Sequence, residues 1–135
     1  MEYFKEYEEN TIGRDFVVGD IHGCFTDLEK ELQGVGYDET RDRHYSDVDL
    51  ADRGPESEKA LEWLKKPWFI PVLGNHEDMF LQCWSDKTAP VEWHDRNGGE
   101  WVRRTPIAFR HEYADLISKL PLAIKVGEIV ILHSL

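Results

Sequence analysis

Short apolar runs alternate with amphipathic segments along most of the chain. Residues 16–18 form an apolar run that ends at Gly19, which predicts a buried strand. Phe25, Leu28 and Leu32 then recur at helical spacing, which predicts a helix over residues 24–33. Strands alternating with helices favour an α/β fold. Further along, the pattern predicts helices over residues 56–66, 78–84 and 111–120, and strands over residues 68–73, 121–126 and 129–132.

Three parts of the chain have weaker patterns. Residues 1–15 predict an edge strand or a loosely packed arm, and residues 43–48 are so polar that they predict a poor core strand. Residues 85–110 are the least regular. Three histidines match no motif, and we expect them to be solvated: His44, His94 and His111.

Composition and charge restrict the class of protein and its partners. The 135 residues predict a single domain over residues 1–135. A net charge of −11 disfavours nucleic acid and anionic membranes as partners, because both bind basic surfaces. No apolar run approaches the ~20 residues of a membrane helix, and the acidic first residues lack a signal pattern, so we expect a cytoplasmic protein.

Metal-binding residue types follow predicted strands four times. In α/β sheets, ligands collect at the carboxyl ends of strands, so these four loops could meet at one edge. A mixture of carboxylate, amide and imidazole ligands suits manganese, iron or catalytic zinc, and Asp49 could bridge two ions about 3.5–4 Å apart. The residues are Asp20 and His22 after the first strand, then Asp49, then Asn75 and His76, and finally His133.

Three motifs in order carry a family resemblance. Residues 19–23 meet Gly-Asp-x-His-Gly, and residues 74–77 meet Gly-Asn-His-Glu. Residues 49–54 meet Gly-Asp-x-x-Asp-Arg-Gly except that Val48 replaces the first glycine. The chain therefore resembles the phosphoprotein phosphatase family of calcineurin-like metallophosphoesterases. Residues 67–69 and 97–99, with Trp101, resemble the branch of the bacteriophage lambda protein phosphatase and its bacterial relatives.

The resemblance implies a fold and two metal sites. The fold would be an αββα sandwich with much of the second sheet missing, and residues 1–135 would be the N-terminal portion of the family's domain. The cofactors would be two divalent metal ions, with manganese favoured and iron or zinc as alternatives. Asp20, His22 and Asp49 would hold the first ion, and Asp49, Asn75 and His133 the second.

The resemblance also implies catalytic roles. His76 would be the general acid that protonates the leaving alcohol, and Asp52 would orient it. Arg53, together with Asn75 and His76, would bind the substrate phosphate. The nucleophile would be a water activated by the two metal ions, with no covalent enzyme intermediate.

Two departures from the family pattern suggest further properties. The family continues past His133, where it supplies a further histidine ligand and usually a second phosphate-binding arginine. A sandwich that lacks part of one sheet leaves a sheet face uncovered, which predicts poor solubility or association through that face. Val48 in place of glycine predicts weaker metal binding at Asp49.

Three functions compete on the sequence alone. The favoured one is a metal-dependent phosphomonoesterase that acts as a serine/threonine protein phosphatase, with phosphotyrosine as a further substrate. The second is a symmetrical dinucleoside-polyphosphate hydrolase, a branch that tends to lack the acidic residue at the position of Asp52. The third is an inactive truncated fragment that still binds a metal or a partner.

Overall fold

A computed structural model describes residues 3–47 and 49–132 of the chain, which form two three-stranded sheets and a layer of helices. The strands are β1 (Phe4–Tyr7), β2 (Asp15–Val18), β3 (Arg43–Ser46), β4 (Phe69–Pro71), β5 (Ala123–Val126) and β6 (Ile129–Leu132). The α-helices are α1 (Phe25–Gly34), α2 (Ala60–Leu64), α3 (Asn75–Phe80), α4 (Val91–His94) and α5 (Ile107–Ser118).

The first sheet is parallel and has the order β2-β3-β4. Its central strand is β3, so the prediction of a poor core strand at residues 43–48 was wrong. Two polar side chains of β3 have specific partners: Arg43 forms a 2.9 Å ion pair with Asp15, and the ring of His44 stacks on Phe69. Tyr45 is fully buried between the two sheets. Position 48, where we expected a valine to weaken the neighbouring metal site, lies outside the described residues.

Helices pack on one face of the first sheet. The apolar side of α1 buries Phe25, Leu28 and Leu32, as its periodicity predicts. Trp63 of α2 and Tyr113 of α5 join the same core, which also takes in Leu50 and Ala51 from the loop after β3. This core therefore anchors the segment that carries Asp49.

The second sheet packs against the other face of the first. Strand β1 runs parallel to β5, and β5 pairs with β6 antiparallel. Ile124, Val126 and Ile131 from this sheet pack against Tyr45 and Val72. The layers are thus helix, sheet and sheet, which confirms the predicted fold class.

The outer face of the second sheet carries several exposed apolar side chains alongside Glu6 and Lys125. Phe4, Val130 and Leu132 are 48%, 52% and 55% exposed, respectively. The predicted association through this face is compatible with that exposure and stays a prediction. Among the described residues, no helix is long and apolar enough to cross a membrane.

Residues 85–110, expected to be irregular, are mostly helical. A π-helical turn at Leu81–Ser85 extends α3, and α4 continues through a π-helical turn at Asp95–Gly99 into a 3-10 helix at Glu100–Arg104. The sequence pattern hides these turns because each is too short to show an amphipathic period, and Gly98 interrupts them at φ +92°. Short π-helical turns occur often at functional sites.

Candidate active site

The motif loops meet at the carboxyl ends of the first sheet's strands. The backbone N–H groups of Ile21 and His22 both donate to the Asp49 carbonyl, at 3.2 and 3.1 Å, and Gly23 N–H donates to the Leu50 carbonyl at 2.9 Å. A side chain at Gly54 would place its Cβ 1.6 Å from the His22 carbonyl oxygen. Only glycine fits there, so the second motif's glycine permits the close contact with the first motif.

His22, Asp49 and His76 form a compact group whose ligand atoms lie within 4.8 Å of one another. Asp49 is buried; its Oδ1 accepts the His76 backbone N–H at 2.9 Å, and its Oδ2 lies 3.6 Å from His22 Nε2. His22 Nδ1 lies 3.2 Å from the Ala51 carbonyl, which can only accept, so Nδ1 carries the ring proton. In the neutral ring this tautomer leaves the lone pair on His22 Nε2, as metal ligation requires.

The donor set of this group fits a divalent cation. The buried Asp49 carboxylate beside the His22 imidazole offers oxygen and nitrogen ligands, and a carbonyl that orients a ligating histidine is a common support for such sites. Asp20 and Asn75 are exposed at the same strand ends, but the compact group among the described residues does not include Asp20. His133, predicted to bind the second metal, lies outside the described residues.

Asp52 is buried beneath this group and accepts three side-chain hydrogen bonds. Its Oδ2 lies 2.9 Å from His76 Nδ1 and 2.7 Å from His94 Nε2, and its Oδ1 accepts Trp101 Nε1–H at 2.7 Å. Burial alone would raise the pKa of Asp52, but the hydrogen bonds from His76, His94 and Trp101 outweigh it and lower that pKa below its usual value. Asp52 is therefore an anion whose two oxygens are both held in place.

Asp52 and Arg53 share a strained backbone conformation. Their φ angles are +75° and +70°, in the left-handed region that costs non-glycine residues roughly 1–3 kcal/mol each and that clusters at active sites. The Ser57 hydroxyl oxygen accepts the Asp52 N–H at 2.9 Å, and the Gly98 carbonyl accepts the Arg53 N–H at 3.1 Å. Because of this geometry, two consecutive side chains lie in different environments: Asp52 is buried and Arg53 is exposed.

Glu77 of the third motif is a buried carboxyl that forms hydrogen bonds with the backbone of the second motif. It is 1% exposed and accepts the N–H groups of Leu50 and Ala51 at 3.0 and 3.4 Å. Burial raises the pKa of Glu77 well above its usual value; the Leu50 N–H opposes that rise and the nearby Asp49 carboxylate adds to it. A Cβ at Gly74 would lie 2.4 Å from Asp49 Oδ1 and 2.9 Å from Glu77 Oε1. The corner formed by Gly74, Asp49 and Glu77 is therefore too tightly packed for an added methyl group.

Sequence reasoning missed three residues of this site and misplaced two histidines. It did not identify His94, Trp101 or Glu77 as parts of the site. His94 and His44 were expected to be solvated, but they are 0% and 2% exposed. His94 is enclosed by the helical turns of residues 91–104, and His44 lies in the central strand β3. The available signal was the resemblance of residues 97–99 and Trp101 to one branch of the family.

Comparison with known proteins decides the family. The model of the calcineurin-like phosphoesterase family matches residues 16–135. The chain belongs to this family. Serine/threonine-protein phosphatase 1 of Salmonella typhimurium is 39% identical over 103 residues, covering 76% of this chain and 47% of that phosphatase. The symmetrical bis(5'-nucleosyl)-tetraphosphatase of Vibrio vulnificus is 34% identical over 111 residues, covering 72% of this chain and 40% of that enzyme.

The chain thus spans about half the length of the curated relatives it matches. Among solved structures, a candidate diadenosine tetraphosphatase superposes with a TM-score of 0.74 at 25% identity, covering 98% of this chain and 55% of the other. A serine/threonine phosphatase from Saccharomyces cerevisiae superposes with a TM-score of 0.54 at 20% identity, covering 87% of this chain and 39% of the other, and shows the fold alone. The family match over residues 16–135 and the curated relatives confirm the predicted family, whose members are phosphoesterases.

Proposed function

We propose that this chain carries the catalytic face of a metal-dependent phosphomonoesterase that acts as a serine/threonine protein phosphatase, with phosphotyrosine as a further substrate. The observation that supports this most is the contact of 2.9 Å between His76 Nδ1 and the buried Asp52, next to the group of His22 and Asp49. A general acid oriented by a carboxylate, beside a site for divalent cations, suits hydrolysis of a phosphoester with a poor leaving group.

Each residue of the proposed mechanism has a defined task. In the doubly protonated ring that acts as the acid, His76 donates Nδ1–H to the Asp52 carboxylate and its Nε2–H supplies the proton that the departing oxygen needs. Exposed Arg53 binds the phosphate by charge-assisted hydrogen bonds, and His76 together with the exposed Asn75 completes the proposed phosphate-binding set.

Asp20, His22, Asp49 and Asn75 hold the metal ions, together with His133, which lies outside the described residues. Divalent cations bound there would supply Lewis acidity toward the phosphate and would activate water. Manganese is our proposal for the metal because the donors mix imidazole nitrogen with carboxylate and amide oxygen. A cytoplasmic location stays a prediction from the sequence.

The proposal is tested by hydrolysis of a phosphoserine peptide by the 135-residue chain with and without Mn²⁺. His76→Asn should abolish the metal-dependent turnover because it removes the proposed acid. His111→Asn is the matched control, since His111 is exposed on α5 and distant in sequence from every motif. Equal turnover by both variants would contradict the proposed acid.

A second candidate function is symmetrical cleavage of dinucleoside tetraphosphates. The match to the Vibrio vulnificus tetraphosphatase favours it, as does the superposition on a candidate diadenosine tetraphosphatase. The same assay with diadenosine tetraphosphate separates the two functions. A higher kcat/KM for the dinucleotide than for the phosphopeptide would favour this second candidate.

A third candidate is a chain that binds metal without turnover. Titration of Mn²⁺ into the wild type and His22→Ala tests this directly. Metal binding that is lost in the variant, with no hydrolysis of either substrate, would support it.

A further inference from the structure

His94 belongs to none of the three motifs, yet it contacts the aspartate that orients His76. The side chain is fully buried. Its Nε2 lies 2.7 Å from Asp52 Oδ2, and its Nδ1 lies 3.1 Å from Trp84 Nε1. Both ring nitrogens are therefore engaged in direct contacts with other side chains.

The contact with Trp84 determines which tautomer His94 adopts. An indole N–H can only donate, so His94 Nδ1 must accept and cannot carry a proton. The single ring proton then lies on Nε2 and is donated to the Asp52 carboxylate. A second ring proton, on Nδ1, would face the Trp84 N–H directly.

This donation fixes the carboxylate that His76 depends on. Asp52 Oδ2 accepts from His76 and His94 together, while Trp101 holds Oδ1. Rotation of the carboxylate would break these contacts at once. Without His94, Oδ2 would keep only the bond to His76, and one side of the buried anion would lose its donor.

Packing holds the His94 ring in the required orientation. A Cβ at Gly99 would lie 2.3 Å from both Cδ2 and Nε2 of His94, so the backbone at Gly99 lies directly against the ring. The ring of Phe80 meets it edge-on, with 6.0 Å between the ring centroids. The ring is therefore confined on two sides, in a segment that sequence periodicity does not predict.

We propose that His94 is a positioning residue: its Nε2–H holds Asp52 so that His76 keeps its ring proton on Nδ1. Only the catalytic consequence of this inference rests on the proposed function. The hydrogen-bond chain from Trp84 through His94 and Asp52 to His76 is a property of the folded protein, and it can be tested without any turnover.

The first test is ¹⁵N NMR of the histidine rings in the 135-residue chain. We expect the Nε2–H tautomer for His94 and the Nδ1–H tautomer for His76 in the wild type. In His94→Phe the Nε2–H tautomer of His76 should increase severalfold. His94→Gln, whose amide donor reaches as far as Nε2, should preserve the wild-type tautomer, whereas the shorter His94→Asn should resemble His94→Phe.

Two results would overturn the inference. One is a wild-type His94 that carries its proton on Nδ1. The other is an unchanged His76 tautomer in a folded His94→Phe. If His94→Phe does not fold, two other variants replace it. Gly99→Ala displaces the His94 ring by steric contact, and Trp84→Phe removes the N–H donor that determines the His94 tautomer while leaving the His94 side chain unchanged. Tautomers that remain as in the wild type in both variants would equally refute the proposal.

The second test measures dependence on the leaving group. A serine alkoxide needs a proton from the general acid, whereas p-nitrophenolate leaves without one. His94→Phe should therefore lower kcat about tenfold more for a phosphoserine peptide than for p-nitrophenyl phosphate, with little change in KM. An equal loss for both substrates would overturn the positioning role. Absence of wild-type turnover on every substrate would refute the proposed function alone, because the NMR result stands independently.

Discussion

Gly74→Ala tests whether the compact corner around Asp49 controls metal binding. The added Cβ would lie 2.4 Å from Asp49 Oδ1 and 3.0 Å from Asp49 Cα, and real Cβ atoms do not approach other atoms closer than 3.0 Å. The carboxylate must therefore move by at least about 0.6 Å, which exceeds the roughly 0.2 Å tolerance of metal–ligand distances. The same movement would stretch the 2.9 Å bond from the His76 N–H.

The expected magnitude follows from that displacement. Disturbing the support of a metal ligand costs about 10–100-fold in metal affinity, and overpacking a filled corner costs about 1–3 kcal/mol of stability. We expect Gly74→Ala to bind Mn²⁺ about 10–100-fold more weakly while remaining folded by circular dichroism. The assay is titration of Mn²⁺ followed by electron paramagnetic resonance of the free ion.

Gly19→Ala is the matched control for this prediction. It places the same methyl group in a neighbouring motif loop, where the Cβ meets nothing within 4 Å. Its Mn²⁺ affinity should stay near that of the wild type. Equal affinities for Gly74→Ala and Gly19→Ala would show that Asp49 does not hold the metal or that the corner can relax.

Three further predictions concern stability and phosphate binding. Burial lowers the pKa of His44 from 6.5 to about 4, so its neutral form contributes stability above pH 6.5 that is lost as the pH falls toward 4. In urea unfolding, the wild type should lose about 2 kcal/mol of stability by about pH 5, and His44→Phe should not show this loss. Parallel stability profiles against pH for the two proteins would contradict this prediction. Gly98→Ala would place a Cβ 2.6 Å from Arg53 Cγ at a φ of +92°, so the Arg53 side chain must move. Inorganic phosphate should then inhibit hydrolysis about tenfold more weakly, because Arg53 is proposed to bind the phosphate. An unchanged inhibition constant would show that Arg53 does not contribute to phosphate binding. Glu77→Ala should cost about 3 kcal/mol in urea unfolding because it leaves the Leu50 N–H without its acceptor. Glu77→Gln should cost less because it retains an acceptor oxygen and fills the same space. Equal losses would mean that neither the lost acceptor nor the cavity determines the cost.

The sequence was most informative where one local rule decides the outcome. The periodicity of Phe25, Leu28 and Leu32 predicted α1 and its buried face correctly. The rule that ligands collect at strand ends placed His22 and Asp49 in one group, where the structure brings their side chains within 3.6 Å. Each inference needed only spacing along the chain and the α/β connection.

The sequence was least informative where a contact depends on distant partners. Residues 43–46 are polar, and only the pairing with Asp15 and the stacking on Phe69 allow them to form the central strand. His94 lies 42 residues from Asp52, and short helical turns of mixed type bring the two together. No periodicity in a single sequence encodes such contacts, because their energy comes from tertiary neighbours.

The indole contacts of Asp52 and His94 give the site an optical reporter. Of the five tryptophans, Trp101 donates its N–H to Asp52 and Trp84 donates to His94. Indole emission responds to the charge and hydrogen bonding of such neighbours. Intrinsic fluorescence should therefore report changes at Asp52 and His94 without any attached dye. Trp101→Phe would identify how much of the signal comes from the contact with Asp52.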